Sequence, residues 1–128
     1  MRNLFLVALG GAFGAVFRNL TERTVYHLAG EPQLFTAIFI ENVAGCFLIG
    51  ILFSIAKKHE WFTDAIRLFI LVGFVGSYTT YSGFGAEAFM LFGSSVIAGF
   101  FYIFVQIVLG ITAVIAGIAI SNKLHVSK

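Results

Sequence analysis

The sequence predicts an all-α integral membrane protein of four transmembrane helices, the third broken near its middle, and three observations carry that reading. The first is composition. Of 128 residues, 59% are hydrophobic and 11% are charged, whereas soluble domains carry about 25% charged residues. A chain this short has no single core able to hide so much apolar side chain from water. The second is arrangement: the apolar residues fall into runs long enough for the roughly 20 residues that cross the hydrocarbon layer. The third is local. Between Gly73 and Phe84 the third run trades aliphatic side chains for glycines and hydroxyls.

The first span is the hardest to read. Leu4 to Phe17 is apolar but short, and Arg18 follows. Extending the helix to about 3–28 makes it long enough and puts Arg18 at depth, where an arginine is tolerated if it faces protein or water. Arg2, the apolar run and the small residues at 10–15 also resemble a signal peptide; three further runs would leave a membrane protein even after cleavage. Gly30, Glu31 and Pro32 predict a tight turn into the second span, at about 34–56, which ends at Lys57, Lys58 and His59. Trp61 beside Lys58 suits the membrane–water interface. The third span covers about 65–92 and the fourth, free of charge, about 94–121. No linker or repeat divides the chain, so 1–128 is expected to be one four-helix membrane domain.

Several function classes fall away. The net charge of +2, without a basic run, argues against nucleic acid. Cys46 is the only cysteine, so neither an intrachain disulfide nor a cysteine metal site can form. His27, His59 and His125 fall at span ends, and no nucleophile with a base, no histidine metal pair and no phosphate loop is present. The chain is not expected to be an enzyme.

The basic residues are uneven. With four spans, Arg2, Lys57, Lys58, Arg67, Lys123 and Lys128 share one side, against Arg23 and the buried Arg18 on the other. Cytoplasmic loops collect Lys and Arg, so both termini are expected inside.

Buried polar residues mark the chemistry. Glycines and hydroxyls at 73–84 predict either a broken helix or a glycine-kinked one with self-satisfied hydroxyls. A break frees carbonyls, which hydrocarbon tolerates only when they meet protein, water or an ion; such carbonyls suit a hard cation. Tyr81 and Phe84 share a helix face. Ring edges carry partial positive charge, so a row of edges beside hydroxyl or amide donors suits a small anion. Asn42 offers an amide that is costly to bury unpaired. Glu41 and Glu87 are intramembrane carboxyls, read as proton or cation sites, as neutral acids, or as partners for Arg18. Gly10 with Gly14, and Gly110 with Gly117, permit close helix approach.

Taken together, Gly10-Gly-Ala-Phe-Gly-Ala-Val-Phe-Arg18, Asn42-Val-Ala-Gly45 running on to Gly50, and Gly73 through Phe84 resemble the three ordered motifs of the CrcB/Fluc family of bacterial fluoride channels. Glu87 and Tyr102 also match that pattern. The resemblance implies passive fluoride export across the bacterial plasma membrane by an antiparallel dimer with two pores. It implies that Asn42, Tyr81, Phe84, Tyr102, Thr80 and Ser82 serve the fluoride pathway. Gly76 and Thr79 would hold one structural sodium ion, not transported, through backbone carbonyls. Arg18 and Gly14 would serve the interface.

Four positions depart from the family pattern: Tyr81 replaces the usual Phe, Gly83 the usual Thr, Gln106 the usual Ser, and Glu41 an apolar residue. Together with the charge bias, these departures favour a dimer with an oppositely oriented paralogue over a dimer of the chain with itself. The alternative function is a small four-span drug–proton antiporter. Such proteins depend on a carboxylate in the first span, and here that span carries Arg18.

Overall fold

The computed structural model describes residues 1–29 and 37–126. The turn expected at Gly30, Glu31 and Pro32, and the expected start of the second span, lie outside the described residues. Among those described there is no strand. Four helical stretches are each long and apolar enough to cross a membrane: Arg2–Ala29, Ala37–Lys58, Asp64–Ser94 and Val96–Leu124.

The first two are the unbroken helices α1 (Arg2–Ala29) and α2 (Ala37–Lys58). The third is composite. It begins as α3 (Asp64–Arg67), widens into a π-helical stretch over Leu68–Val75, and tightens to one turn of α-helix, α4 (Gly76–Tyr78). It stops at Thr79 and Thr80, both extended, and resumes as α5 (Tyr81–Ser94). Ser95, again extended, separates it from α6 (Val96–Val126). The break is thus a true interruption and not a glycine kink.

The π stretch was not legible in the sequence. Its origin is packing against α1. Gly10 and Gly14 are buried, and a Cβ at either would strike a backbone carbonyl of the third span, that of Phe69 or Phe74. Gly73 answers from the other side, where a Cβ would sit 2.8 Å from the Val7 carbonyl oxygen. A π turn is wider than an α turn. Glycine on both helices lets that wider backbone approach, as small residues do in membrane bundles.

A second close seam joins α2 to α6. A Cβ on Gly50 would strike the Val114 carbonyl, and one on Gly117 that of Phe47. The Ser54 hydroxyl donates to the Asn122 side-chain carbonyl at 2.8 Å, tying the C-terminal ends of the two helices. Gly110, by contrast, meets only the Cys46 sulfur at ordinary distance. Between α3 and α2 the chain turns over buried Phe62, with Trp61 59% exposed beside it as an interfacial residue should be.

The candidate ion pathway at the broken third span

The break is held open by one side chain. Asn42, on α2, uses its carbonyl oxygen to accept the Thr80 backbone N–H at 2.9 Å. It returns an N–H to the Thr80 carbonyl at 3.1 Å. The amide therefore pairs with Thr80 as a neighbouring β-strand would. In an unbroken helix the Thr80 N–H would go to the carbonyl of Gly76, four residues back. Asn42 diverts it, which leaves the Gly76 carbonyl free for another partner. The sequence marked Asn42 as costly to bury; this bidentate pair resolves most of that cost.

The two threonines do different jobs. Thr79 donates its hydroxyl, and its N–H, back to the Val75 carbonyl, each at 3.0 Å, closing the first half-helix. Thr80 caps the second: its hydroxyl oxygen accepts the Gly83 N–H at 3.0 Å and pairs with the Ser82 hydroxyl at 3.2 Å. An oxygen at this capping position satisfies one of the open N–H groups at a helix start. Gly45 lies against the Thr79 methyl so closely that a Cβ there would strike it.

Aromatic rings continue from the break. Tyr81 and Phe84 are 6.0 Å apart between ring centroids, and Phe84 lies 5.7 Å from Tyr102 of α6 at an interplanar angle of 27°. Tyr102 is buried, stands 6.5 Å from Phe39, and donates its hydroxyl to the Glu87 carboxyl. Tyr81 is 87% exposed in the single chain, and its ring faces outward.

Asn42, Thr79, Thr80, Tyr81, Phe84 and Gln106 share the wall of one groove of about 670 Å³. Its remaining wall is apolar apart from the Cys46 thiol. Of the other residues expected on the pathway, Tyr102 stands behind Phe84 and Ser82 is exposed on α5; neither lines the groove. Gly76 is exposed on α4, one turn before the break, and Gly14 is buried against Phe74.

Arg18 is half-buried. It donates to the Ser77 carbonyl at 3.4 Å and lies 3.6 Å from Glu22, one helical turn on. Neither carboxylate considered as its partner forms an ion pair with it among the described residues: Glu87 meets Tyr102, and Glu41 is fully buried with neither oxygen hydrogen-bonded among the described residues. The sequence reading overlooked Glu22, although its spacing of four from Arg18 was the available signal. Gln106 was noted only as a departure from pattern. It is 7% exposed, and neither its nitrogen nor its oxygen has a hydrogen bond among the described residues.

Comparison with known proteins gives consistent matches. Residues 5–118 match the family described as "CrcB-like protein, Camphor Resistance (CrcB)". A protein of Flavobacterium psychrophilum named "Fluoride-specific ion channel FluC" is 34% identical over 97% of this chain and 100% of its own length. Proteins of the same name from Agrobacterium fabrum and Phocaeicola vulgatus are 38% and 36% identical. They cover 97% and 95% of this chain, and 99% and 100% of themselves.

Proposed function

The chain belongs to the CrcB-like family, and we propose on that footing that it is a passive channel through which fluoride leaves the bacterial cell. It is a multi-pass protein of the bacterial plasma membrane, and no enzymatic chemistry is assigned to it. The observation that carries the reading is the groove at the broken third span. There, the Asn42 amide and the rings of Tyr81 and Phe84 line a groove whose remaining wall is mostly apolar; rings turned edge-on would offer partial positive charge without a full cation. Such a wall favours a small anion and lacks the fixed charge that would hold it too tightly to leave.

The residues divide the work. Asn42 spends its oxygen and one N–H on Thr80 and keeps one N–H for an ion. Phe84 and Tyr81 supply rings to the groove wall, while Tyr102 backs Phe84 and is itself held by Glu87. A negative-inside membrane potential drives an anion outward without other fuel. No observation favours a drug–proton antiporter.

The reading extends to one structural sodium ion at the Gly76 and Thr79 carbonyls. These residues fit it: Asn42 takes the N–H that Gly76 would otherwise receive, and Thr79 is extended at the break. Bound there, sodium supplies positive charge to carbonyls that hydrocarbon does not satisfy. The reading extends also to an antiparallel dimer with two pores, formed with a second copy or with an oppositely oriented paralogue. The exposure of Tyr81 and of the α6 residues Phe100 and Phe104 supports a partner or lipid on that side.

The test is efflux from fluoride-loaded liposomes, followed with a fluoride electrode and repeated with chloride. Fluoride release well above protein-free liposomes, with chloride retained, is expected. Folded protein, supplied with a paralogue where one exists, that releases fluoride no faster than bare liposomes would overturn the proposal. Replacing sodium by a large organic cation should lower both flux and dimer stability; unchanged values would remove the sodium site.

A further inference from the structure

The turn between α2 and α3 holds a recess that takes no part in the proposed ion pathway. Phe62 is buried at the turn and anchors it. The Phe62 N–H donates to the His59 carbonyl at 3.1 Å, and the Thr63 N–H to the Trp61 carbonyl at 2.9 Å. Arg67 reaches back across the turn and donates to the Ala56 carbonyl at 3.2 Å. The recess so formed has a volume of about 630 Å³, and its wall includes Lys57, Lys58, Glu60 and Thr63.

The charges of the recess do not cancel. Asp64 is taken by Arg67, 3.7 Å away. Lys57 and Lys58 have neither a hydrogen bond nor an ion pair among the described residues, although Glu60 shares the recess with them. Two unspent ammonium groups against one carboxylate leave the recess positive, and each ammonium carries three donors.

Its position decides what that charge meets. The recess opens where α2 ends and the third span begins, at one surface of the membrane. Trp61 stands exposed beside it, its ring 5.9 Å from that of His59 and 5.7 Å from that of Phe62. An indole supported in this way marks the headgroup level of the bilayer. One turn before Lys57, on the same face of α2, Phe53 is exposed. A lipid placed there has an apolar side chain for its acyl chain and lysines for its phosphate, an acceptor that ammonium groups bind as point charges.

We propose that the recess at the α2–α3 turn binds the headgroup of an anionic phospholipid, with Lys57 and Lys58 on its phosphate and Trp61 beside its glycerol backbone. The site does not depend on which ion the protein conducts. It goes beyond the general excess of basic residues on one side of the chain, because it assigns the lipid to two lysines and not to their neighbours.

The experiment combines melting temperature with native mass spectrometry on the full chain in neutral detergent. Phosphatidylglycerol, phosphatidylcholine or inorganic phosphate is added. Phosphatidylglycerol should raise the melting temperature by about 3 °C or more and stay bound as one lipid per chain. Phosphatidylcholine and inorganic phosphate should do neither. Lys57→Gln/Lys58→Gln changes two exposed side chains and should melt within about 1 °C of the parent without lipid. It should bind phosphatidylglycerol about tenfold or more weakly, the change expected when two basic residues at a membrane surface are lost. Arg2→Gln/Lys123→Gln removes the same charge outside the recess and should keep the parent's shift.

Equal shifts with phosphatidylglycerol and phosphatidylcholine would overturn the proposal, as would the same shift with inorganic phosphate. An undiminished phosphatidylglycerol shift in Lys57→Gln/Lys58→Gln would overturn it too. So would equal losses in the two double variants, which would mean diffuse attraction to a charged surface. If Lys57→Gln/Lys58→Gln melts well below the parent without lipid, the single variants decide: each should weaken lipid retention about threefold or more, and no loss in either would overturn the site.

Discussion

The two halves of the third span belong to different neighbours. Before the break, the π stretch and α4 lie against α1 through glycines, backbone to backbone, with Gly10, Gly14 and Gly73 admitting no side chain between them. After the break, α5 meets α6 through side chains: Phe84 on Tyr102, Tyr102 on Glu87, and the buried Ala88 and Leu91. The first half is closed along α1, although Val72 and Gly76 stay exposed, and the second leaves Tyr81 and Ser82 open. Backbone-close packing fixes position and, along the contact itself, leaves no side chain to act. Side-chain packing is looser and presents groups an ion can use. Asn42 stands where one regime gives way to the other.

The largest expected effect comes from breaking that junction. Asn42→Asp removes both N–H groups, orphans the Thr80 carbonyl and, when ionised, sets negative charge beside the anion path. A flux loss of about a hundredfold or more, roughly 2.7 kcal/mol of barrier, is expected in the liposome assay. Asn42→Asp with parent flux would mean that the clamp and the pathway are separate.

Next come the two packing regimes themselves. Gly14→Leu forces a side chain into the Phe74 backbone and should cost at least the ~1–3 kcal/mol of an overpacked core, read as lost monodisperse protein on gel filtration. Gly85→Leu, where a Cβ meets nothing within 4 Å, should stay within about 0.5 kcal/mol of the parent as exposed sites do. Equal tolerance at both positions would remove the distinction between the sealed and open halves.

A smaller change tests the side-chain half. Tyr102→Phe keeps the ring against Phe84 and deletes the donor to Glu87. Leaving that carboxyl unpaired should cost about 1–3 kcal/mol, seen as a lower melting temperature. The accompanying loss of flux should be only severalfold, because Tyr102 stands behind the groove wall. A loss as deep as that of Asn42→Asp would put its hydroxyl on the path itself.

These contrasts also explain what the sequence could and could not disclose. Four apolar runs and a glycine–hydroxyl cluster at 73–84 were enough for four spans with the third broken or kinked, because both rest on the cost of polar groups in hydrocarbon. That cost does not say which hydrogen bonds satisfy the break. Asn42 and Thr80 are 38 residues apart, and no local pattern joins them. The π stretch at Leu68–Val75 arises from fit to α1, a tertiary cause that helical periodicity does not encode. The pairing of Arg18 with Glu22 was legible and was passed over in favour of more distant carboxylates. Gln106 stood out in the sequence only as a departure from pattern; that its amide has no hydrogen bond among the described residues is visible only once its surroundings are built.

The smallest expected effect lies at the far end of α2, and it sharpens the comparison by asking whether polar ties matter where glycine packing already holds. The Ser54 hydroxyl donates to Asn122 one turn beyond the Gly50–Gly117 contact. If backbone-close packing fixes the α2–α6 seam, the hydrogen bond adds little. Interhelical hydrogen bonds in membranes average only ~0.6 kcal/mol, because the separated helices also find partners. Ser54→Ala and Asn122→Ala should then each lower stability slightly, and a double-mutant cycle should return a coupling of about that size. Fluoride flux should not change, as both residues lie outside the groove. A coupling above about 1.5 kcal/mol, near the upper end found for such bonds, would mean that this tie and not the glycine contact holds the seam. A flux change would mean that the C-terminal end of α2 belongs to the pathway.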